Sequence, residues 1–140
     1  MHYVIVGNST AATGCIEGIR QMDQRGKITV ISDEPYHTYS RPLISYLLLG
    51  KTDEQKIKYR KDSFYKDNAV QTLLGKKAVQ IDPKTKHVLL EDGEKVKYDK
   101  LLLATGSRPF IPPMDGLERV KSKFTFMKLD DAKALERAIT

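Results

Sequence analysis

The chain has 140 residues, 40% hydrophobic and 8% aromatic, a length and composition typical of one soluble globular domain with a packed core. No apolar run approaches the roughly 20 residues of a membrane-spanning helix, and the N-terminal apolar run stops at Gly7, so we predict a cytoplasmic protein without a signal peptide. The lysines behind the net charge of +6 are spread along the chain among acidic neighbours, which argues against nucleic-acid binding. One cysteine, Cys15, excludes an internal disulfide and a CxxC motif within this chain.

The first thirty or so residues carry the pattern of a βαβ unit. Residues 3–6 are apolar and rich in β-branched side chains, which predicts a strand buried on both faces of a parallel sheet. A helix is predicted over residues 10–25, ended by Gly26, and a second buried strand over residues 27–32. The inward face of the helix is predicted to carry Ala12, Cys15, Ile19 and Met22.

The rest of the chain predicts a small antiparallel β-meander and one more parallel strand. Short helical segments are expected over residues 43–49 and 62–68, with charged irregular chain between them. Strands are predicted over residues 70–73, 78–82, 87–91, 95–98 and 100–104, and a final helix over residues 129–140. The predicted fold class is therefore α/β, a Rossmann-like parallel sheet with a small antiparallel β-meander.

The stretch VIVGNSTAATG resembles the glycine turn that holds a dinucleotide diphosphate. Gly7 permits the tight strand-to-helix bend, and Ala12 is small enough for the helix to lie close to the strand. Ser9 replaces the second glycine of G-x-G-x-x-G, a change that is tolerated only if its φ is negative. The motif alone is weak, but its place between a strand and a helix favours a nucleotide site. The candidate binding residues are Gly7, Asn8, Ser9, Thr10, Ala11 and Ala12.

An acidic residue after the second strand is expected to bind ribose hydroxyls. Ser32, Asp33 and Glu34 occupy that place, and either carboxylate suits the role. The residue that does not face the ribose would simply begin the turn before Pro35.

Three stretches together, VIVGNSTAATG, PYHTYSRPLIS and YDKLLLATGSRPFIP, resemble the FAD-dependent pyridine nucleotide-disulfide oxidoreductase superfamily. They are most similar to its branch of NADH oxidases, nitrite reductases and rubredoxin reductases. The resemblance covers the whole chain and implies an incomplete FAD-binding domain of the glutathione-reductase type.

The resemblance also implies roles for individual residues. The glycine turn would bind the FAD diphosphate, and the acidic corner would bind the adenosine ribose. The loop before the first short helix would lie near the flavin, two meander residues would contact adenine, and the segment after the last parallel strand would close over FAD. These further candidates are Ser40, Arg41, Pro42, Ala78, Val79, Ala104, Thr105, Gly106 and Arg108. Alternatively, Arg41 pairs with a surface acid, Ala78 and Val79 are ordinary strand residues, and Gly106 only ends a strand.

The chain departs from the disulfide-reducing members in having no cysteine after Arg41-Pro42, where Ser45 and Tyr46 follow. We therefore expect no thiol chemistry, no catalytic side chain, and electron flow from NADH or NADPH through FAD to an external acceptor. A small electron-carrier protein or a partner subunit would suit that acceptor role, although Tyr46 replaces the lysine of several carrier-reducing relatives. Cys15 is expected to be a buried structural thiol, and the three histidines have no metal-ligand spacing.

Residues 1–117 are predicted to be the N-terminal part of an FAD-binding domain, and residues 118–140 a connection to an NAD(P)H-binding domain. We interpret the chain as a piece of a longer protein that does not transfer hydride alone. The alternative is a non-catalytic module that binds NAD or another adenine nucleotide without a flavin.

Overall fold

The computed structural model describes residues 1–139, which fall into two compact units. The first unit is formed by Met1–Tyr39 and Tyr59–Gly106, and the second by Ser40–Lys58 and the chain from Ser107 onward. In chain order the elements are β1 (His2–Val6), α1 (Thr10–Met22), β2 (Lys27–Ser32), α2 (Ile44–Leu48), α3 (Phe64–Asp67), β3 (Val70–Leu74), β4 (Ala78–Asp82), β5 (His87–Leu90), β6 (Lys95–Lys97), β7 (Lys100–Leu103) and α4 (Leu129–Ile139).

The first unit is built on a parallel four-stranded sheet of order β3-β2-β1-β7. The register pairs Val6 with Ile31 on β2 and with Leu103 on β7. Because the strands are parallel, the segments that follow β1, β2 and β7 all leave the sheet at its carboxyl edge. In open α/β sheets ligands bind at this edge.

Alternation along β1 divides the core into two layers. Val4 and Val6 face the meander and pack with a cluster that includes Ile31, Val88 and Tyr98. Ile5 faces the other way and packs with a cluster that includes α1 and α3 residues; its buried members are Ile5, Ala12, Ile16, Ile28, Val30 and Phe64. Successive side chains on a strand point to opposite faces, so this short apolar strand is buried on both sides.

Strands β4, β5 and β6 form the predicted antiparallel meander. The turn between β4 and β5 is held by the Asp82 carboxylate, which accepts hydrogen bonds from the Lys84 and Thr85 N–H groups. Gly93, at φ 87°, makes the turn between β5 and β6. The predicted fold class, a parallel sheet with a small antiparallel meander, is confirmed.

Helix α1 differs from the prediction at its C-terminal end. It ends at Met22 rather than at residue 25, because the Asp23 carboxylate accepts hydrogen bonds from the Arg25 and Gly26 N–H groups and turns the chain there. Gly26 is not a left-handed cap; a Cβ there would lie 2.7 Å from the Tyr3 ring. Met22, predicted to face inward, is the last residue of α1 and is 89% exposed, so that prediction is wrong.

The second unit contains α2, α4 and irregular chain. A 3₁₀ turn, Arg41–Leu43, precedes α2, so the predicted helix over residues 43–49 is shorter than expected. At the start of α4, the Asp131 carboxylate accepts hydrogen bonds from the Met127 and Lys128 N–H groups, and α4 packs against α2. Within residues 1–139, none of the helices has both the length and the apolar character that crossing a membrane requires.

Candidate functional site

The glycine turn lies against the segment that follows β7. Gly7 has φ 120° and donates its N–H to the Ile31 carbonyl at 2.8 Å. The Ala104 N–H donates to the Val6 carbonyl at 2.8 Å, and a Cβ on Gly7 would overlap the Ala104 carbonyl oxygen. The backbone at residue 7 therefore requires glycine for two reasons, the positive φ and the close approach of the Ala104 carbonyl.

Ser9 takes the place of the second glycine with extended backbone, at φ −125° and ψ −157°. The condition that its φ be negative is met, so a side chain is accommodated there without strain. Its carbonyl accepts hydrogen bonds from the Thr13 N–H at 3.0 Å and the Thr13 hydroxyl at 3.1 Å. Ser9 is thus the N-cap residue of α1.

The N-terminus of α1 keeps the capacity to bind an anion. The Ser9 hydroxyl makes no capping hydrogen bond, and the first turn has no acidic side chain. The first N–H groups of a helix have no partner within the helix, and they carry the positive end of the helix dipole. Ala12 is fully buried, which lets α1 lie close to the sheet. These features fit a diphosphate group at the turn.

The acidic corner after β2 has two different carboxylates. Glu34 is 7% exposed and accepts a hydrogen bond from the Tyr39 hydroxyl at 2.6 Å. Its N–H donates to the hydroxyl of Ser32, which is also buried. Asp33, in contrast, is exposed. The corner therefore combines a carboxylate that is part of the packed fold with one that faces solvent.

The meander begins next to this corner. The Lys76 N–H donates to the Ser32 carbonyl at 2.8 Å, two residues before Ala78. Ala78 is partly buried against the core, whereas Val79 is 50% exposed in an irregularity of the β4-β5 register. A bulge of this kind turns a strand side chain away from the ladder.

The structure brings together the candidates of the first unit at the carboxyl edge of the sheet. Hydrogen bonds connect the glycine turn to the ends of β2 and β7, and the acidic corner to the start of the meander. Thr105 and Gly106 follow directly and are exposed, with Gly106 at φ 68°.

The remaining candidates belong to the second unit. Ser40 donates its N–H to the Ile57 carbonyl at 2.7 Å, and Pro42 lies in the 3₁₀ turn. The Arg41 guanidinium donates to the Met127 carbonyl at 3.2 Å, so one of its contacts is to backbone. Arg108 is exposed.

One group of residues at the site was not predicted from the sequence. The Tyr65 hydroxyl donates to Asn8 Oδ1 at 2.7 Å and accepts from the Thr38 N–H at 3.1 Å. Asn8 Nδ2 in turn donates to the Tyr36 carbonyl at 3.1 Å. Burial raises the pKa of Tyr65, so its phenol remains a donor at neutral pH. Tyr65 is 57 residues from Asn8 along the chain, and no short motif connects them.

Cys15 is a free thiol on α1. It is partly buried and packs against the core cluster that contains Ile5 and Ala12. Burial raises the pKa of this thiol, which leaves little reactive thiolate at neutral pH. Among residues 1–139, no three His, Cys, Asp or Glu side chains lie close enough together to hold a metal ion.

The chain is similar in sequence and in fold to known proteins. The chain is 40% identical to the NADH-dependent phenylglyoxylate dehydrogenase subunit epsilon of Aromatoleum evansii, over 98% of this chain and 32% of that protein. It is 34% identical to the rubredoxin-NAD(+) reductase of Pseudomonas putida, over 99% of this chain and 36% of that protein. A crystal structure of the covalent putidaredoxin reductase-putidaredoxin complex superposes with a TM-score of 0.86 at 28% identity, over 99% of this chain and 34% of that one.

The chain thus spans about a third of the length of the relatives it matches. Residues 1–140 as a whole match the family described as pyridine nucleotide-disulphide oxidoreductase. The glycine turn, the parallel sheet and the meander therefore occur in a chain that belongs to the pyridine nucleotide-disulphide oxidoreductase family.

Proposed function

We propose that this chain is the FAD-binding portion of a flavin-dependent NAD(P)H oxidoreductase that passes electrons from a nicotinamide through FAD to an external acceptor. The observation that carries the proposal is the N-terminus of α1, which lies at the carboxyl edge of the parallel sheet with no side-chain cap and no acidic residue in its first turn. Relatives named as NADH-dependent enzymes and NAD(+) reductases support the nicotinamide donor. FAD, when bound, would supply the hydride acceptor and the electron carrier of the reaction.

The residues of this chain would bind and orient the cofactor. Residues 7–12 would hold the diphosphate through backbone N–H groups, and Asp33 would bind the adenosine ribose. Ala78 and the exposed Val79 would contact adenine. Ser40, Arg41 and Pro42 would lie near the flavin, where Arg41 would add positive charge, and Ala104, Thr105, Gly106 and Arg108 would close over the cofactor.

The proposal also divides the chain into two parts. Residues 1–117 would belong to the FAD-binding domain, and residues 118–140 would connect it to an NAD(P)H-binding domain. Because Cys15 is partly buried on α1 with a raised pKa, electron transfer would use no redox-active cysteine of this chain. A small electron-carrier protein is the proposed acceptor class, since relatives are named for rubredoxin and putidaredoxin.

The test is the flavin content of the native polypeptide that carries this sequence. We expect the purified protein to show flavin absorbance that is bleached by NADH or NADPH under anaerobic conditions. A protein that is colourless and gains no flavin band on incubation with FAD would instead support the alternative of a non-catalytic nucleotide-binding module.

Substituting the two carboxylates of the acidic corner one at a time is expected to separate cofactor binding from stability. Asp33→Asn is expected to weaken FAD binding roughly 10- to 100-fold, the effect of losing a charge-assisted hydrogen bond, and to lower the free energy of unfolding less than Glu34→Ala does, because Asp33 is exposed. Glu34→Ala is expected to lower the free energy of unfolding by about 1–3 kcal/mol, because the buried Tyr39 hydroxyl loses its acceptor. FAD titration and urea unfolding of the apoprotein measure both. The reverse pattern would assign the ribose to Glu34.

A further inference from the structure

In the first unit, hydrogen bonds from Tyr65 and to Tyr36 hold Asn8, which lies in the turn between β1 and α1. Asn8 directly precedes the N-cap residue Ser9, so a shift of Asn8 would displace the start of α1. Its amide is held at both ends: Oδ1 accepts from the Tyr65 hydroxyl at 2.7 Å, and Nδ2 donates to the Tyr36 carbonyl at 3.1 Å.

Tyr65 is also fixed by its surroundings. Its hydroxyl accepts from the N–H of Thr38, a fully buried residue, at 3.1 Å. Its ring packs against His37 at a centroid distance of 4.7 Å and against Phe64 at 5.5 Å. Ring packing and the hydrogen bond from the Thr38 N–H therefore fix the position of the Tyr65 hydroxyl oxygen. Because this hydroxyl donates to Asn8, it restricts the position of the Asn8 side chain.

The geometry points to Tyr65 as a positioning residue for FAD: its hydroxyl fixes Asn8 and thereby presets the glycine turn for the diphosphate. This inference rests on the proposed function. Preorganising a binding loop strengthens binding because the free protein does not have to order the loop on binding. Losing one such hydrogen bond is expected to weaken binding by about five- to tenfold.

The experiment uses the native polypeptide as apoprotein, titrated with FAD. Tyr65→Phe removes the hydroxyl, with its bond to Asn8 and the bond that it accepts from the Thr38 N–H, and keeps the ring contacts. It is expected to weaken FAD binding about five- to tenfold through the lost bond to Asn8. Tyr59→Phe is the matched control, since Tyr59 is 37% exposed in the same unit, and it is expected to leave FAD binding unchanged.

A double-mutant cycle separates positioning from a general loss of structure. If Tyr65 acts through Asn8, Tyr65→Phe has no further effect on FAD affinity in the Asn8→Ala background. The ³¹P NMR signals of the bound diphosphate report the turn directly: Tyr65→Phe is expected to shift them, and Tyr59→Phe is not.

Three results would overturn the inference. They are wild-type FAD affinity in Tyr65→Phe, an equal loss in both backgrounds, and unshifted ³¹P signals despite weaker binding. A wild-type apoprotein that binds no FAD would overturn the proposed function and this inference together, which distinguishes that failure from the other three.

Discussion

Gly7→Ala is expected to abolish FAD binding by the native protein and to lower its free energy of unfolding by about 2–5 kcal/mol. Two costs add at this residue: a positive φ that side chains disfavour, and a Cβ that would overlap a backbone oxygen. The obstacle is the backbone carbonyl of Ala104, directly after β7, which cannot rotate away as a flexible side chain could. To relieve the overlap, the turn or the end of β7 must move, and both border the proposed diphosphate site.

The matched control is Gly14→Ala, seven residues further along. Gly14 is exposed within α1, and nothing lies within 4 Å of the position of an added Cβ. Because alanine favours the helix more than glycine does, this variant is expected to gain about 0.5–1 kcal/mol of stability and to keep FAD binding. Flavin absorbance of the purified variants and urea unfolding of the apoproteins measure both effects. A stable, flavin-loaded Gly7→Ala protein would contradict the role of Gly7.

The strands could be predicted from the sequence because burial leaves a local pattern of apolar residues along them. Strand β1 is short and apolar throughout, and both of its faces are buried, as the run of β-branched residues indicates. The meander follows from turn residues such as Gly93 between alternating segments. In these elements the residues that favour strands and turns locally are also the residues that tertiary packing requires, so the sequence pattern predicts them.

Features that depend on individual side-chain hydrogen bonds are harder to predict from the sequence. Gly26 predicts a helix end at residue 25, but α1 ends earlier because the Asp23 carboxylate accepts hydrogen bonds from the Arg25 and Gly26 N–H groups. The sequence does not indicate which of Asp33 and Glu34 is available to a ribose, because the two differ in burial and in the hydrogen bond that Glu34 accepts from Tyr39. The bond between Tyr65 and Asn8 was not predictable, because it depends on where α3 packs rather than on any spacing in the sequence.

Ser9→Asp is expected to have opposite effects on folding and on cofactor binding. Ser9 is the N-cap of α1 but makes no side-chain cap, and the first turn holds no acidic residue. An aspartate there can accept a hydrogen bond from the first turn and interact with the helix dipole, which stabilises the apoprotein by about 0.5–1 kcal/mol. The same carboxylate would face the diphosphate, a like-charge contact that costs several kcal/mol, so FAD affinity is expected to fall at least about 100-fold.

Ser9→Asn separates charge from size, because asparagine has nearly the shape of aspartate and caps a helix as well but is neutral. It is expected to lose far less FAD affinity than Ser9→Asp, and Ser9→Gly, which restores the second glycine, is expected to lose least. FAD titration of the three apoproteins, together with their urea unfolding curves, gives the comparison. If the aspartate and asparagine variants bound FAD equally, the cofactor's negative charge would not lie at this end of α1, and the function proposed from it would be wrong.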